Sequence, residues 1–248
     1  MKKLLLIALA VIICSGVWGA DKTKVFKQQT VTCVKTKDTI EIDGIMEKAW
    51  EKSNVYGMYV VQTTKKPLSP AEIRTMYDDE NLYVFMKTKD KDITAYETRT
   101  DESTCADDVM EIFLRPGKNA PWYYNAEINA LGTAYTAKNH SGNKDQIRWR
   151  HLWNPDLEYA IHIEGTLNNP YDTDKYWTLE VKIPFAQLDY LNGKTPKAGD
   201  VWTCNFAKYD YSIYLPLDID GIELCSICHT DACWFHELVN YCPFVFGK

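Results

Sequence analysis

The stretch Trp177-Thr178-Leu179-Glu180-Val181-Lys182-Ile183 shows the pattern that decides the fold. Its apolar and polar residues alternate, and successive side chains of a strand point to opposite faces of a sheet. The stretch therefore predicts a half-buried β-strand. The same alternation recurs in residues 159–164, and in residues 82–86 after the turn-forming run 78–81. A sustained helical period is almost absent from the chain.

Many further segments have the length and composition of strands. They lie near residues 30–36, 38–43, 56–63, 71–77, 108–115, 122–129, 132–137, 201–209 and 243–247. Helix is limited to short pieces at 45–51 and 185–188. Ten or more short strands separated by polar turns predict an all-β fold built as an antiparallel sandwich or barrel. Of these we favour a jelly-roll or immunoglobulin-like β-sandwich, and we expect a single domain over residues 20–248.

Composition and charge exclude two classes of protein. Hydrophobic residues make up 46% and charged residues 25% of the 248 positions, which is ordinary for a packed globular domain and not for a disordered chain. The 28 Lys and Arg residues face 34 Asp and Glu residues, giving a formal charge of −6. Because this acidic balance provides no basic field to neutralise phosphates, we expect no nucleic-acid partner.

The first residues are typical of an export signal. Lys2 and Lys3 precede an apolar run over residues 4–13, and small residues then lead to Gly19. The run is shorter than the roughly 18 residues of a membrane span, and no other stretch approaches that length. We therefore expect a signal peptide over residues 1–19, cleavage after Gly19, export to the periplasm or the extracellular space, and no transmembrane segment.

The cysteine count bears on the redox state of the exported chain. Cleavage would remove Cys14 and leave seven of the eight cysteines. Cys14 is also a candidate lipid acceptor, although the bulky Ile13 before it disfavours that alternative. Disulfides are the expected state of thiols in an oxidising compartment. The odd number leaves one thiol free, paired between chains, or bound to a ligand.

The C-terminal cysteines allow three interpretations. Cys225-Ser226-Ile227-Cys228-His229 matches the attachment pattern of haem c, in which two thiols bind the haem and the adjacent His is an axial ligand. Cys225, Cys228, Cys233 and His236 have a spacing typical of zinc ligands. Disulfides are favoured over both metal sites, because zinc sites of this type usually belong to reducing compartments. The disulfide candidates are Cys105, Cys225, Cys228, Cys233 and Cys242.

Several phrases occur in an order that is similar to one family. They are Ile42-Asp43-Gly44 with Ala49-Trp50, residues 77–84, Asp107-Asp108-Val109-Met110-Glu111-Ile112-Phe113-Leu114, residues 123–129 with Gly132, residues 177–185, Gly199-Asp200-Val201-Trp202 with Asn205-Phe206, and Phe235-His236 near residues 244–246. Together they resemble the family 9 carbohydrate-binding modules and their relatives over nearly the whole mature chain. The resemblance implies a β-sandwich that binds sugar and accompanies polysaccharide-degrading enzymes.

The resemblance also implies a binding site. In sugar-binding members the ligand lies between two aromatic side chains, and a Glu of the Asp-x-x-Glu strand hydrogen-bonds it. These features correspond to Glu111 and to Phe235, with Trp234 and His236 beside it, whereas the first aromatic position holds Cys105. The overlay places Cys105 opposite Cys233, so a bridge between these two cysteines that replaces the aromatic clamp is one hypothesis. Relatives carry structural calcium, for which Asp107 and Asp108 are candidates, and solvated turn acids are the alternative.

Sugar recognition needs flat apolar surfaces for the ring and carboxylates or amides for its hydroxyls. The carboxylates and amides available near the implied site are Glu111, Asn125, Glu127 and Asn205. Trp149 and Trp153 lie in a polar stretch, which is compatible with a place on the surface. Trp50, Trp177 and Trp202 fall on inward strand faces and are expected in the core. The candidate sugar-binding residues are Glu111, Asn125, Trp149, Trp153, Trp234, Phe235 and His236.

These observations predict an exported, non-catalytic carbohydrate-binding module that binds a poly- or oligosaccharide and works with a separate glycoside hydrolase. No nucleophile elbow, His-Glu-x-x-His helix or phosphate loop is present in the sequence, and no cofactor is required by it. Two alternatives remain open. One is an electron-transfer β-sandwich with haem on Cys225 and Cys228, and the other is a structural module that has lost its ligand, as Cys105 would indicate.

Overall fold

The computed structural model describes residues 28–117, 119–140, 151–153, 155–216, 221–230 and 235–248. Within these ranges the chain forms fourteen β-strands and a few 3₁₀ turns, and all the strands belong to one sheet. The predicted all-β class is confirmed. None of the helical turns in these ranges has the length or the hydropathy of a membrane-spanning helix. The predicted signal peptide and Cys14 lie outside the described residues.

The strand bounds follow the predicted segments in most places. The strands are β1 Val31–Lys35, β2 Tyr56–Gly57, β3 Tyr59–Val60, β4 Ala71–Tyr77, β5 Asn81–Lys89, β6 Val109–Arg115, β7 Trp122–Asn129, β8 Ala134–His140, β9 His151–Leu152, β10 Glu158–Glu164, β11 Tyr176–Pro184, β12 Val201–Tyr211, β13 Ile222–Ser226 and β14 Cys242–Phe246. The 3₁₀ turns are Lys48–Lys52, Phe185–Gln187, Asp189–Leu191 and Leu238–Asn240.

The sheet is mixed, which corrects the prediction of antiparallel pairing throughout. Its order is β10-β11-β5-β4-β1-β14-β12-β6-β7-β8-β9, and β1 is the fifth of these eleven strands. The first residues of β1 pair in parallel with β14, and its last residues pair in parallel with β4. Alternation of side chains specifies the buried face of a strand but not its direction. The two parallel pairs therefore had no signal in the sequence pattern.

The sheet curls, so that strands from both sides of β1 share one large core. Trp177 and Leu179 of β11 pack in the same cluster as Ile112 of β6 and Phe206 of β12. The opposite face of β6, β7 and β12 carries a second cluster, which includes Phe113, Tyr123, Ala207, Phe235 and Tyr241. We call this face of the three strands the outer face. The C-terminal segment 235–241 covers it and forms the candidate site there.

Residues 38–43 form no strand, contrary to prediction, because their backbone groups bind side chains. The Glu41 amide donates to the Glu47 carboxylate, and the Asp43 amide donates to Glu180 of β11. Glu180 is fully buried and also accepts hydrogen bonds from Trp50 Nε1 at 2.8 Å and from the Gly44 amide at 3.0 Å. One buried carboxyl thus ties the N-terminal loop to the sheet.

This carboxyl makes stability depend on pH. Burial raises the pKa of Glu180 to about 7, against the effect of the Trp50 hydrogen bond, so the folded protein binds a proton that the unfolded chain releases near pH 4.5. Stability is then fully present below the unfolded pKa and is lost as the pH rises towards 7. We expect the free energy of unfolding to fall by about 1–2 kcal/mol between pH 5 and pH 8.

Urea unfolding at the two pH values measures this difference, with Glu180→Gln as the matched control. The neutral amide keeps an acceptor for Trp50 and cannot titrate, so the variant should lose most of the pH dependence. Equal pH dependence in the wild type and the variant would show that Glu180 is not the responsible group.

Candidate functional site: a carboxylate pocket on the outer face

Two glutamates face each other across the outer face. Glu111 of β6 lies directly opposite Glu127 of β7 in the strand register, and both side chains are buried, with 3% and 7% of their surface exposed. Opposite residues of an antiparallel pair lie about 5 Å apart at Cβ. Two acidic side chains this close in a buried place oppose folding, so their placement points to a binding role.

A pocket of about 140 Å³ opens above the two glutamates. Strands β6, β7, β8 and β12 supply its floor, and the segments 103–105 and 235–236 supply its walls. The lining residues are Ser103, Cys105, Glu111, Glu127, Tyr135, Tyr209, Phe235 and His236. Among them the structure brings together four residues singled out in the sequence, which are Cys105, Glu111, Phe235 and His236.

The aromatic wall of the pocket is fixed by ring contacts. Phe235 meets Tyr209 edge to face, with ring centroids 5.5 Å apart, and packs against Phe113 at 6.5 Å. The neighbouring His236 lies 5.1 Å from the Phe113 ring, and its Nδ1 is 2.7 Å from the Tyr123 hydroxyl. Because these rings interlock, the C-terminal segment presents its side chains in one orientation.

The Glu111 side chain lines this pocket, and its pKa is shifted from the usual range. Burial, followed by the charge of Glu127, raises the pKa of Glu111 well above its usual range. The raised pKa favours the protonated carboxyl, which can donate a hydrogen bond. Within the described residues no protein group lies in hydrogen-bond distance of its carboxyl. A ligand hydroxyl in the pocket can therefore bind this carboxyl without displacing a hydrogen bond to a described residue.

Cys105 stands at the mouth of the pocket. Its side chain is exposed, its Sγ lies 3.1 Å from the Ser103 hydroxyl, and its backbone carbonyl accepts a 2.6 Å hydrogen bond from the Tyr211 hydroxyl. The position that the resemblance assigns to an aromatic clamp thus does belong to the pocket. A thiol covers much less of a sugar ring than an aromatic side chain does.

Other predicted sugar-binding residues are elsewhere. Trp153 packs against Tyr124 on the core side of the sheet, and its Nε1 donates to the Gln187 carbonyl, so the structure does not bring it to the pocket. Asn125 lies on the outer face opposite Phe113, fully buried and outside the pocket lining. Trp149, Trp234 and Cys233 lie outside the described residues.

Sequence reasoning left Tyr135 and Tyr209 out of the candidate site and named Glu127 only as a carboxylate near it. Only the strand register brings these residues to Glu111. Glu127 lies opposite both Glu111 and Tyr135. Tyr209 lies opposite Val109, which is the neighbour of Glu111 on the outer face of β6. Glu127 carried one available signal, because it alternates with Asn125 on a predicted strand. For the two tyrosines no local signal separates a pocket position from a core position.

A second acidic cluster lies on the core side of the sheet. Carboxyl oxygens of Asp90, Asp108 and Asp210 lie within 4.8 Å of one another, and all three side chains are buried. The buried Lys208 ammonium donates to Asp210 at 2.8 Å and to the Thr88 hydroxyl at 3.1 Å. Burial acts to lower the pKa of Lys208, but the charge and the hydrogen bond of Asp210, together with the nearby Cys225 and Glu223, raise that pKa overall. Burial and Asp210 raise the pKa of Asp90 to about 7.

The two predicted calcium ligands separate in the structure. Asp107 accepts hydrogen bonds from the Tyr96 and Glu97 amides and from the Asn129 side chain, so its oxygens hold the loop. Asp108 belongs to the acidic cluster, in which one oxygen of Asp90 and one of Asp210 have no hydrogen-bond partner. The two Asp108 oxygens also accept hydrogen bonds, from the Thr94 and Tyr211 amides. Asp108 differs from Asp107 in lying beside two other carboxyls, and such a group of oxygens is the kind of ligand set that hard cations prefer. Calcium itself stays a prediction.

The haem pattern does not fit the fold around it. Covalent attachment needs two thiols that reach a haem edge, but Cys225 and Cys228 are buried at 0% and 2% exposure inside the large core. His229 packs its ring 4.3 Å from Tyr59. The proposed zinc set includes Cys233, which lies outside the described residues.

The disulfide expectation also stays a prediction. Cys33, Cys105, Cys204, Cys225, Cys228 and Cys242 are free thiols in the described part of the chain. The implied bridge between Cys105 and Cys233 involves a residue outside it.

Comparison with known families identifies the chain. The model of the family described as carbohydrate family 9 binding domain-like matches residues 42–212, which is more than half of the sequence. The chain belongs to this family. The resemblance stated from the sequence is thereby confirmed. Glu111, Glu127 and Tyr209 of the pocket lie inside the range matched by the family 9 model, and Phe235 and His236 lie beyond it.

Solved structures share the family 9 fold at low sequence identity. A proposed carbohydrate-binding protein from Bacteroides uniformis ATCC 8492 is 15% identical with a TM-score of 0.66, over 89% of this chain and 100% of its own. A family 9 carbohydrate-binding module from Caldicellulosiruptor kristjanssonii in complex with cellotriose is 14% identical with a TM-score of 0.59, over 89% and 95%. A family 9 carbohydrate-binding module from Caldicellulosiruptor kristjanssonii in complex with glucose is 15% identical with a TM-score of 0.53, over 88% of this chain and 96% of its own. No curated protein matches the sequence.

Proposed function

We propose that the chain is a non-catalytic carbohydrate-binding module and that it binds a poly- or oligosaccharide in the pocket of Glu111 and Phe235. The observation that carries the proposal is the pair of buried glutamates beneath an aromatic-walled pocket. Family membership and the family 9 structures with cellotriose and glucose support it.

Each part of the pocket suits one part of a sugar. The protonated Glu111 can donate to a hydroxyl oxygen, and Glu127 on the facing strand brings a second carboxyl to the same hydroxyls. The rings of Phe235 and Tyr209 offer apolar surface for the C–H groups of the sugar. The pocket is smaller than the roughly 300–1,000 Å³ of sites for drug-sized ligands. Its size favours a single sugar unit, held at the end of a chain.

The wider biological role is proposed on the sequence features. The N-terminal signal pattern supports export, and family membership supports a role in polysaccharide degradation beside a separate glycoside hydrolase. For the architecture we propose a sandwich over residues 20–248, supported by the core that both halves of the curled sheet share.

Replacing Phe235 with leucine tests the aromatic wall. Leucine keeps most of the buried volume but offers no flat face, so we expect oligosaccharide affinity to fall about five- to tenfold. Affinity electrophoresis in gels with cellulose, xylan or β-glucan first identifies the ligand, and calorimetry then compares the variants. Trp153→Phe is the matched control, because Trp153 contacts the core side of the sheet.

Two results would overturn the proposal. If the wild type binds no sugar in the panel, the structural-module alternative is favoured. If Trp153→Phe weakens binding and Phe235→Leu leaves it unchanged, the sugar binds away from the pocket.

A further inference from the structure

Four buried cysteines lie close together in the large core, next to the segment that carries the aromatic wall. They are Cys33 of β1, Cys204 of β12, Cys228 just after β13 and Cys242 at the start of β14. Cys204 lies directly opposite Cys242 in the register of β12 and β14. Buried thiols often serve as small apolar side chains, so their burial alone implies no chemistry.

One pair within this group is much closer than packing requires. The Sγ atoms of Cys228 and Cys242 are 3.1 Å apart, and the Cys242 amide donates to the Cys228 sulfur at 3.1 Å. The Cys228 thiol also lies 3.2 Å from the Cys204 carbonyl. A disulfide has a sulfur–sulfur bond of about 2.05 Å. A shift of roughly 1 Å, within the reach of side-chain rotation, therefore converts this contact into a bond.

We propose that Cys228 and Cys242 form a disulfide in the mature protein. The two thiols lose two protons and two electrons to a disulfide oxidant such as oxidised glutathione, which is reduced to two thiols as the Cys228 Sγ–Cys242 Sγ bond forms. Both sulfurs lie inside the core, so the exchange takes place while the chain folds.

The bond would close the segment that shapes the pocket. Residues 229–241 lie between the two cysteines, and Phe235 and His236 in this segment form one wall. The Leu238–Asn240 turn and Tyr241 anchor the end of the segment on the outer face. A crosslink at its base would keep this wall in place, whichever ligand the pocket takes.

Peptide mapping of the full chain tests the pairing. The protein is refolded in a buffer of oxidised and reduced glutathione, alkylated without reduction, and cleaved after Glu223 and Glu237. We expect peptides 224–237 and 238–248 to be joined, and to separate on reduction. Cys228→Ser and Cys242→Ser should abolish the joined species. Cys225→Ser, which removes a thiol of the same peptide, should retain it.

Two results of the peptide mapping would overturn the proposal. An alkylated Cys242 in the wild type would overturn the proposal. A joined species that persists in Cys228→Ser would also overturn it, since it would show that Cys242 pairs with Cys225 or Cys233. Thermal unfolding gives a second measurement that needs no variant. A loop of this length predicts that the oxidised wild type melts roughly 6–10 °C above the reduced protein. Equal melting temperatures would contradict a crosslink, whether or not the protein binds sugar.

Discussion

Replacing Lys208 with methionine is expected to lower the free energy of unfolding by about 3–5 kcal/mol. Lys208 is the buried cation of the cluster formed by Asp90, Asp108 and Asp210, and its ammonium lies 2.8 Å from Asp210. Methionine fills a similar volume, so the loss comes from leaving buried carboxylates without their cation. Urea unfolding at pH 7 in the presence of EDTA measures the effect without a competing metal ion.

Lys138→Met is the matched control for this experiment. Lys138 also forms an ion pair, with Asp189 at 2.5 Å, but the Asp189 side chain is 63% exposed. Ion pairs in water contribute about 0–1 kcal/mol, so the control should lose little stability. Equal losses in the two variants would show that the Lys208 cluster is no more than an ordinary surface pair.

Replacing Glu111 with alanine is expected to weaken sugar binding about ten- to hundredfold. The variant removes the carboxyl at the floor of the pocket, and leaving the sugar hydroxyl buried without its partner costs about 1–3 kcal/mol. The variant also leaves Glu127 without a second buried acid beside it, so the fold should not be destabilised by charge. Calorimetry at pH 7 measures the affinity, and thermal unfolding verifies the fold.

The Glu111→Gln variant tests whether Glu111 binds the sugar as a neutral hydrogen-bond donor or as a charged carboxylate. Burial and Glu127 raise the pKa of Glu111, which favours the neutral form of the wild-type side chain. The glutamine amide can donate in the same way, so this variant should bind within about threefold of the wild type. If glutamine is as damaging as alanine, the carboxylate charge is required and the assigned protonation state is wrong. If alanine binds normally, Glu111 does not contact the sugar.

Local alternation was enough to predict most strands. The stretch around Trp177 and the segments near β4, β6, β7 and β12 appear where the apolar and polar residues alternate. β13 was missed because its cysteines were read as a ligand motif, and because its apolar and polar residues do not alternate cleanly, since Glu223 and Ser226 are buried while Ile222 and Leu224 are partly exposed. The parallel pairing of β1 could not be predicted, since strand order depends on contacts between distant residues.

The site was predicted in part for the same reason. Glu111, Phe235, His236 and Cys105 followed from the ordered family motifs, which fix positions along the chain. Trp153 lies away from the pocket, because a polar neighbourhood in sequence does not tell which side of the sheet a loop packs against, and its role in sugar binding stays a prediction. Glu127 and Tyr209 needed the strand register, which brings residues from β7 and β12 to Glu111.

A crystal structure of the protein with the oligosaccharide that binds best in the polysaccharide panel tests the central claim most directly. We predict one sugar unit in the pocket, with a hydroxyl in hydrogen-bond distance of Glu111 and the ring against Phe235. Sugar bound at another surface, with this pocket empty at a saturating concentration, would contradict the account.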